Sequence, residues 1–425
     1  MNYSRPPRDE SFARTAYAPI SVAARRNLLR RSPIFAVAGF IGFLFLATLW
    51  NWAIESYYPK LRIRSAQPLI GVVEPPPALL TLPAFMSGEM QKAVSANFGR
   101  SLPVFNISVR AKNQFLYSLF RDSGANGVVI GKNGRMYQQG YIDGFCMRAP
   151  PPEQTHLNEW ADKIRAIQDV LEARGKRFVY LITPSKPATY PEYLPSSQTC
   201  PALTAGETNR LPAFRAALDS RGVRYVDGPA LVADAKPKYS IGLFARGGTH
   251  WNLLAGALAA RQITRVLPHS PLGEFEFDWT EIAQAQGTDR DILDLLNLLW
   301  PDDYYPTALI RGRESQAPCS KPPSMLAIGA SFLFEVDFAF AQAACAPDID
   351  DYWYYISPDG NGLRRRRFRI GKGATNTGEP FPGGGEAELR DSLERAEVVV
   401  LEENESVISR RIEVDDLLRA AKSLH

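Results

Sequence analysis

Acyl chemistry needs an exposed nucleophile with a base beside it, and one serine and one histidine in this sequence stand in settings that suit those roles. Ser331 sits in Gly329-Ala330-Ser331-Phe332, directly after the apolar run MLAI. The small residues at 329 and 330 permit a sharp strand-to-helix turn that leaves the hydroxyl exposed. The N–H groups opening the next helix would then stabilise an oxyanion, helped by the helix dipole. The same serine would serve equally well as a simple helix cap. His250, one of four histidines, lies in Gly247-Gly248-Thr249-His250-Trp251-Asn252, just before an alanine- and leucine-rich stretch. There it can be the general base that a serine hydroxyl requires, or it can bond a loop carbonyl and do no chemistry.

Two other segments bring polar groups to presumed strand ends. LITPSKPATYPEYLP (181–195) offers Lys186, Tyr190 and Tyr193. Tyrosine faces suit sugar rings, and a lysine there would meet a carboxylate or an acyl oxygen; a proline-stiffened structural loop is the competing reading. VVVLEENES (398–406) crowds Glu402, Glu403 and Glu405 together, either to orient His250 and bind polar substrate or merely to be solvated. Trp251, beside His250, is a further candidate substrate contact.

The periodicity supplies elements that would position these groups. Helical patterns cover 157–176 (Trp160, Ile164, Ile167 and Leu171 on one stripe), 209–220, 252–267, 331–344, 386–396 and 412–423. Short apolar strands fall at 178–182, 223–226, 325–328, 352–356 and 398–401. Such alternation predicts an α/β fold with a mostly parallel sheet covered by helices. Functional groups of such sheets gather beyond the C-terminal strand ends, where the segments above begin.

Residues 33–54 (PIFAVAGFIGFLFLATLWNWAI) carry no charge; as a helix they would span about 33 Å, roughly a bilayer core. Trp50, Trp52, Tyr57 and Tyr58 form an aromatic belt at the far end. The expected organisation is a disordered Arg-rich cytoplasmic segment (1–32), a transmembrane anchor (33–54), a proline-punctuated linker (55–89) and a globular domain (90–425). Arg25, Arg26, Arg30 and Arg31 precede the span, and Lys60, Arg62 and Arg64 follow it. The excess on the first side places the N-terminus inside and the domain outside. The net charge of +4 over 425 residues gives no case for nucleic acid. Part of it is the run LRRRRFRIGK (363–372), a solvated loop or a groove for an anionic polymer. Cys146, Cys200, Cys319 and Cys345 show no CxxC spacing, so a zinc site is not indicated, and in an oxidising compartment they would form disulfides.

Six stretches in order resemble the alginate O-acetyltransferase family of the AlgJ and AlgX type, whose catalytic domains are SGNH-hydrolase-like. They are GVVIGKNGRMYQQGYIDGFC (127–146), LITPSKPATYPEYLP, RGGTHWNLLAGALAA (246–260), DLLNLLWP (294–301), AIGASF (327–332) and VVVLEENES. The resemblance implies a periplasmic O-acetyltransferase, held in the bacterial inner membrane by one helix and acting on a secreted polysaccharide. Ser331 would be the nucleophile and His250 the base, with the Ser331 N–H in the oxyanion hole. A membrane-bound O-acyltransferase partner would supply acetyl groups; no metal or diffusible cofactor is implied. The sequence departs from the family at Gly248, where Asp-x-His usually places the third triad member, and at Ala330. The chain then works as a dyad, or another acid takes over, with Glu402, Glu405 and Asp227 as candidates. A carbohydrate acetylesterase and a non-catalytic polysaccharide-binding scaffold are the alternative functions.

Overall fold

The computed structural model describes residues 22–54, 58, 67–72, 77, 79–102, 104–267, 269, 271–313, 321–356, 364–380, 384–410 and 412–424, without the side chains at 22–34, 36, 48, 52, 350, 356 and 364. The chain divides into two compact units, one of residues 1–68 and 72–108, the other of 69–71 and 109–425.

The first unit contains the 33-residue helix Val22–Ile54 and the shorter helices Leu82–Met86 and Glu89–Ser101. Residues 22–32 are therefore helical rather than irregular, and a helix also falls within the expected linker; residues 1–21 and most of 55–78 lie outside the described residues. The apolar run 33–54 sits inside Val22–Ile54. Among the described residues no helix is long and apolar enough to cross a membrane, several side chains of this run falling outside them.

The second unit is built on six strands: β1 (Arg177–Thr183), β2 (Tyr225–Asp227), β3 (Ser324–Gly329), β4 (Asp348–Ile356), β5 (Arg364–Ile370) and β6 (Val398–Asn404). They lie in the order β5-β4-β3-β6-β1-β2. All neighbours are parallel except the edge pair β4 and β5. Alternate side chains of β1 enter opposite cores, as the strand period requires. Val179 and Leu181 pack with the helices Gly228–Ala235, Leu253–Val266 and Leu333–Ala341. Phe178, Tyr180 and Ile182 pack with Pro151–Glu172, Arg210–Ser220, Glu386–Arg395 and Glu413–Lys422. On the first of these faces Gly256 brings two helices together, since a Cβ there would stand 2.4 Å from the Glu335 carbonyl oxygen.

Two features depart from the sequence pattern, and a third bears out the expected disulfides. A hairpin of Phe277–Gln284 and Tyr304–Gly312 covers the first face through Phe277, Ala308 and Ile310, and its tip is a long loop bearing Gly287–Arg290 and Asp291–Leu295. The basic run is strand β5 over Arg364–Ile370 rather than a loop. Phe368 and Ile370 are buried, while Arg365 pairs with Asp416 and Arg367 with Asp351. Finally, Cys146 and Cys200 form a disulfide, and Cys345 is also disulfide-bonded, its partner lying outside the described residues.

Candidate active site

The turn after β3 is pinned by three hydrogen bonds, on the residues either side of Ser331. Ala330 N–H donates to Glu402 Oε2 at 2.7 Å, Tyr352 OH donates to the Ala330 carbonyl, and Trp251 Nε1–H donates to the Phe332 carbonyl at 2.8 Å. Ser331 stands between these anchors, just before the helix Leu333–Ala341. Among the described residues no protein group accepts from the N–H of Ser331 or Phe332. These two N–H groups are the candidate oxyanion donors.

His250 is set by the turn that precedes Leu253–Val266. Asn252 caps that helix, its side chain accepting from Ala255 N–H at 3.1 Å. His250 Nε2 lies 2.8 Å from Ser331 Oγ, and its Nδ1 lies 2.7 Å from Asp291 Oδ2. The other oxygen of Asp291 accepts from Thr249 N–H at 2.7 Å. An ionised carboxylate only accepts, so the ring proton sits on Nδ1 and Nε2 is free to take the proton of the serine hydroxyl. Burial on its own would lower the His250 pKa; the charge and hydrogen bond of Asp291, then Glu335 and Glu402, outweigh it and raise the value. The side chain remains 14% exposed.

The acid partner of His250 is therefore Asp291, which the sequence pattern did not indicate. The expected third members are occupied elsewhere. Glu402 is fully buried behind the turn, bonded to Ala330 N–H and the Thr183 hydroxyl. Glu405 accepts from Ser185 N–H at 2.6 Å. Asp227 caps the helix Gly228–Ala235 and pairs with Arg215. Gly248 explains the exchange: a Cβ at that position would stand 2.6 Å from the Thr288 carbonyl oxygen and 3.0 Å from the Asp289 backbone. The hairpin-tip loop thus fills the place of an Asp side chain and delivers its own acid. Two aspartates opening a short apolar helix, in TDRDILDLL, are the signal that would have suggested it.

The expected substrate contacts are largely structural. Lys186 is 2% exposed, and its ammonium donates to the carbonyls of Ala245, Arg246 and Gly248 at 2.7–2.8 Å. It clamps the loop that carries His250, and burial, reinforced by Arg135, holds its pKa well below the usual lysine range. Trp251 is fully buried on Phe332. Tyr190 is also buried, its hydroxyl accepting from Leu243 N–H at 3.0 Å. Tyr193 alone of the four keeps an open face, lining a cavity of about 220 Å³ with Arg135 over its ring.

Two further acids flank the triad. Asp289 is buried and held by the Thr307 hydroxyl, and its pKa is pushed up to about 6, chiefly by burial. Glu335 accepts from the Thr288 hydroxyl at 2.6 Å, and burial pushes it up to about 7. No group of histidine, cysteine and acidic residues suited to a metal ion occurs among the described residues.

A serine at the C-terminal end of a parallel strand, facing a histidine backed by an acid, is the arrangement expected of an SGNH-hydrolase-like domain. Residues 128–341 match the family model for the SGNH hydrolase-like domain of the acetyltransferase AlgX. This chain belongs to that family. Among solved structures, the O-acetyltransferase domain of Pseudomonas putida AlgJ aligns at 19% identity over 69% of this chain and 99% of its own, with a TM-score of 0.42. Pseudomonas aeruginosa AlgX aligns at 11% identity over 69% and 67%, with a TM-score of 0.44. Bacillus cereus PatB1 aligns at 8% identity over 67% and 98%, with a TM-score of 0.39. A search of curated proteins found no match.

Proposed function

We propose that this chain is a membrane-tethered O-acetyltransferase that carries an acetyl group on Ser331 and passes it to hydroxyls of a secreted polysaccharide. The observation that carries the reading is the continuous Ser331–His250–Asp291 hydrogen-bond line. Ser331 Oγ attacks the acetyl carbonyl of the donor while His250 Nε2 takes its proton. The oxyanion is met by the N–H groups of Ser331 and Phe332. Collapse expels the donor's leaving group, which takes the proton from the imidazolium. A sugar hydroxyl then attacks the acetyl-serine, loses its proton to His250, and Ser331 regains it as the acetyl ester leaves on the sugar. Asp291 holds the tautomer and stabilises the imidazolium.

The apolar run within Val22–Ile54 would hold the enzyme in the bacterial inner membrane with the catalytic unit in the periplasm. The Cys146–Cys200 disulfide favours an oxidising compartment. A membrane-bound O-acyltransferase would be the acetyl donor. In cells making the polymer, Ser331→Ala should abolish its acetylation while the protein stays folded and abundant. Persistent acetylation would make the chain a scaffold, and acetate release without transfer would make it an esterase.

A further inference from the structure

A cavity of about 600 Å³ opens beside the triad, within the size range of small-ligand pockets. Asp291 is part of its wall, and Glu335, also in the wall, follows Ser331 by four positions, about one helical turn. Resting on the acyl-transfer reading above, we propose that this cavity is the acceptor subsite and that it takes an uncharged sugar, presenting hydroxyl or amide groups, in preference to a uronate.

Three observations carry this. Asp289, Asp291 and Glu335 all line the cavity, and no lysine or arginine does. A sugar carboxylate would need a cation or a bidentate guanidinium to offset its desolvation. The cation whose charge acts on Asp289 and Asp291, Lys186, is buried and committed to three carbonyls. Of the arginines of β5, none lines the cavity, and Arg365 and Arg367 are engaged by Asp416 and Asp351.

Asp289 adds an independent sign of a missing donor. It is 8% exposed, and its Oδ1 is buried without a hydrogen-bond partner. Buried polar atoms are normally satisfied, and under the proposal a sugar hydroxyl or amide N–H entering at this wall would be the donor that the enclosed oxygen lacks. Phe334 and Phe338, whose rings stack at 6.0 Å, also line the cavity and would offer apolar surface to the C–H face of a pyranose. Thr307 and Thr288, already donating to Asp289 and Glu335, keep those carboxyl groups oriented at the wall.

The test uses the full-length protein in detergent, 4-nitrophenyl acetate as donor, and neutral and uronate oligosaccharides of equal length as competing acceptors. Mass spectrometry reads acetyl on Ser331 and on each acceptor. The neutral acceptor should be favoured by about tenfold or more, because a uronate would set like charges side by side in the cavity. Thr375→Lys, which puts a cation on the exposed rim of the cavity, should narrow that ratio by about fivefold or more, with folding checked by thermal unfolding. Acetylated Ser331 with equal or preferred transfer to uronate, or transfer to neither sugar, overturns the subsite. Failure to acetylate Ser331 at all overturns the acyl-transfer reading and the subsite with it.

Discussion

Asp291 reaches the imidazole of His250 at 2.7 Å from a loop 41 residues further along the chain, and the Thr288 and Asp289 backbone of that loop packs against Gly248 where a side chain would stand. The acid of the triad thus comes from the tip of a hairpin rather than from the turn that carries the histidine, and it completes the line from carboxylate to imidazole to hydroxyl. The exchange is steric as well as electrostatic, because the same loop supplies Asp291 and fills the place of an Asp at 248.

Asp291→Ala should lower acetyl transfer by about 10³- to 10⁴-fold, the scale seen when a triad loses its tautomer-setting acid. Gly248→Asp in that background should not restore it, since the new side chain would meet the Thr288 and Asp289 backbone. Single-turnover acylation rates on the two variants decide this.

The acylation rate should fall as pH drops through the His250 pKa, because only the neutral ring accepts the serine proton. Asp291 is the main cause holding that value above the usual 6.5, so Asp291→Asn should move the acid limb to lower pH. The linkage has the opposite sense for stability. A raised histidine pKa contributes fully below about 6.5 and is lost as pH rises through the folded value. Rate profiles and unfolding curves across this range test both signs.

Lys186→Met should destabilise the protein by about 2–4 kcal/mol, because three buried carbonyls lose their donor. It should also slow acylation, since those carbonyls belong to the loop that leads to His250. Chemical denaturation and acylation rates of the same preparation would show the two effects together.

The Cys146–Cys200 bond joins residues 54 apart. Loop-closure entropy puts its contribution at about 4 kcal/mol before any strain or residual structure. Cys146→Ser with Cys200→Ser should lower stability by about 2–4 kcal/mol on that basis, measured by denaturant titration.

Much of this arrangement is written locally in the sequence. The runs FVYLI and VVVLEEN announce β1 and β6 because both are buried on two faces, and Ser331 and His250 stand where small residues and a helix start mark a strand-end turn. Asp291 is not local: it is bound to His250 by a contact that only the hairpin fold creates, and its setting reads as the start of an ordinary amphipathic helix. Lys186, Trp251 and Tyr190 looked like surface ligands because polar and aromatic residues at strand ends often are. Their partners are backbone carbonyls and an N–H distant in sequence, which no pattern of residue types reveals. The Arg-rich run was hidden for a related reason, two of its charges, Arg365 and Arg367, being paired with Asp416 and Asp351.

The most direct test is peptide mapping of the full-length protein after brief exposure to an acetyl ester, followed by addition of acceptor glycan. The account predicts one acetyl group on Ser331, absent in His250→Ala, strongly reduced in Asp291→Ala, and discharged to the glycan on its addition. Transfer to glycan with Ser331 never acetylated, or an adduct on Ser331 that forms equally well without His250, would contradict it.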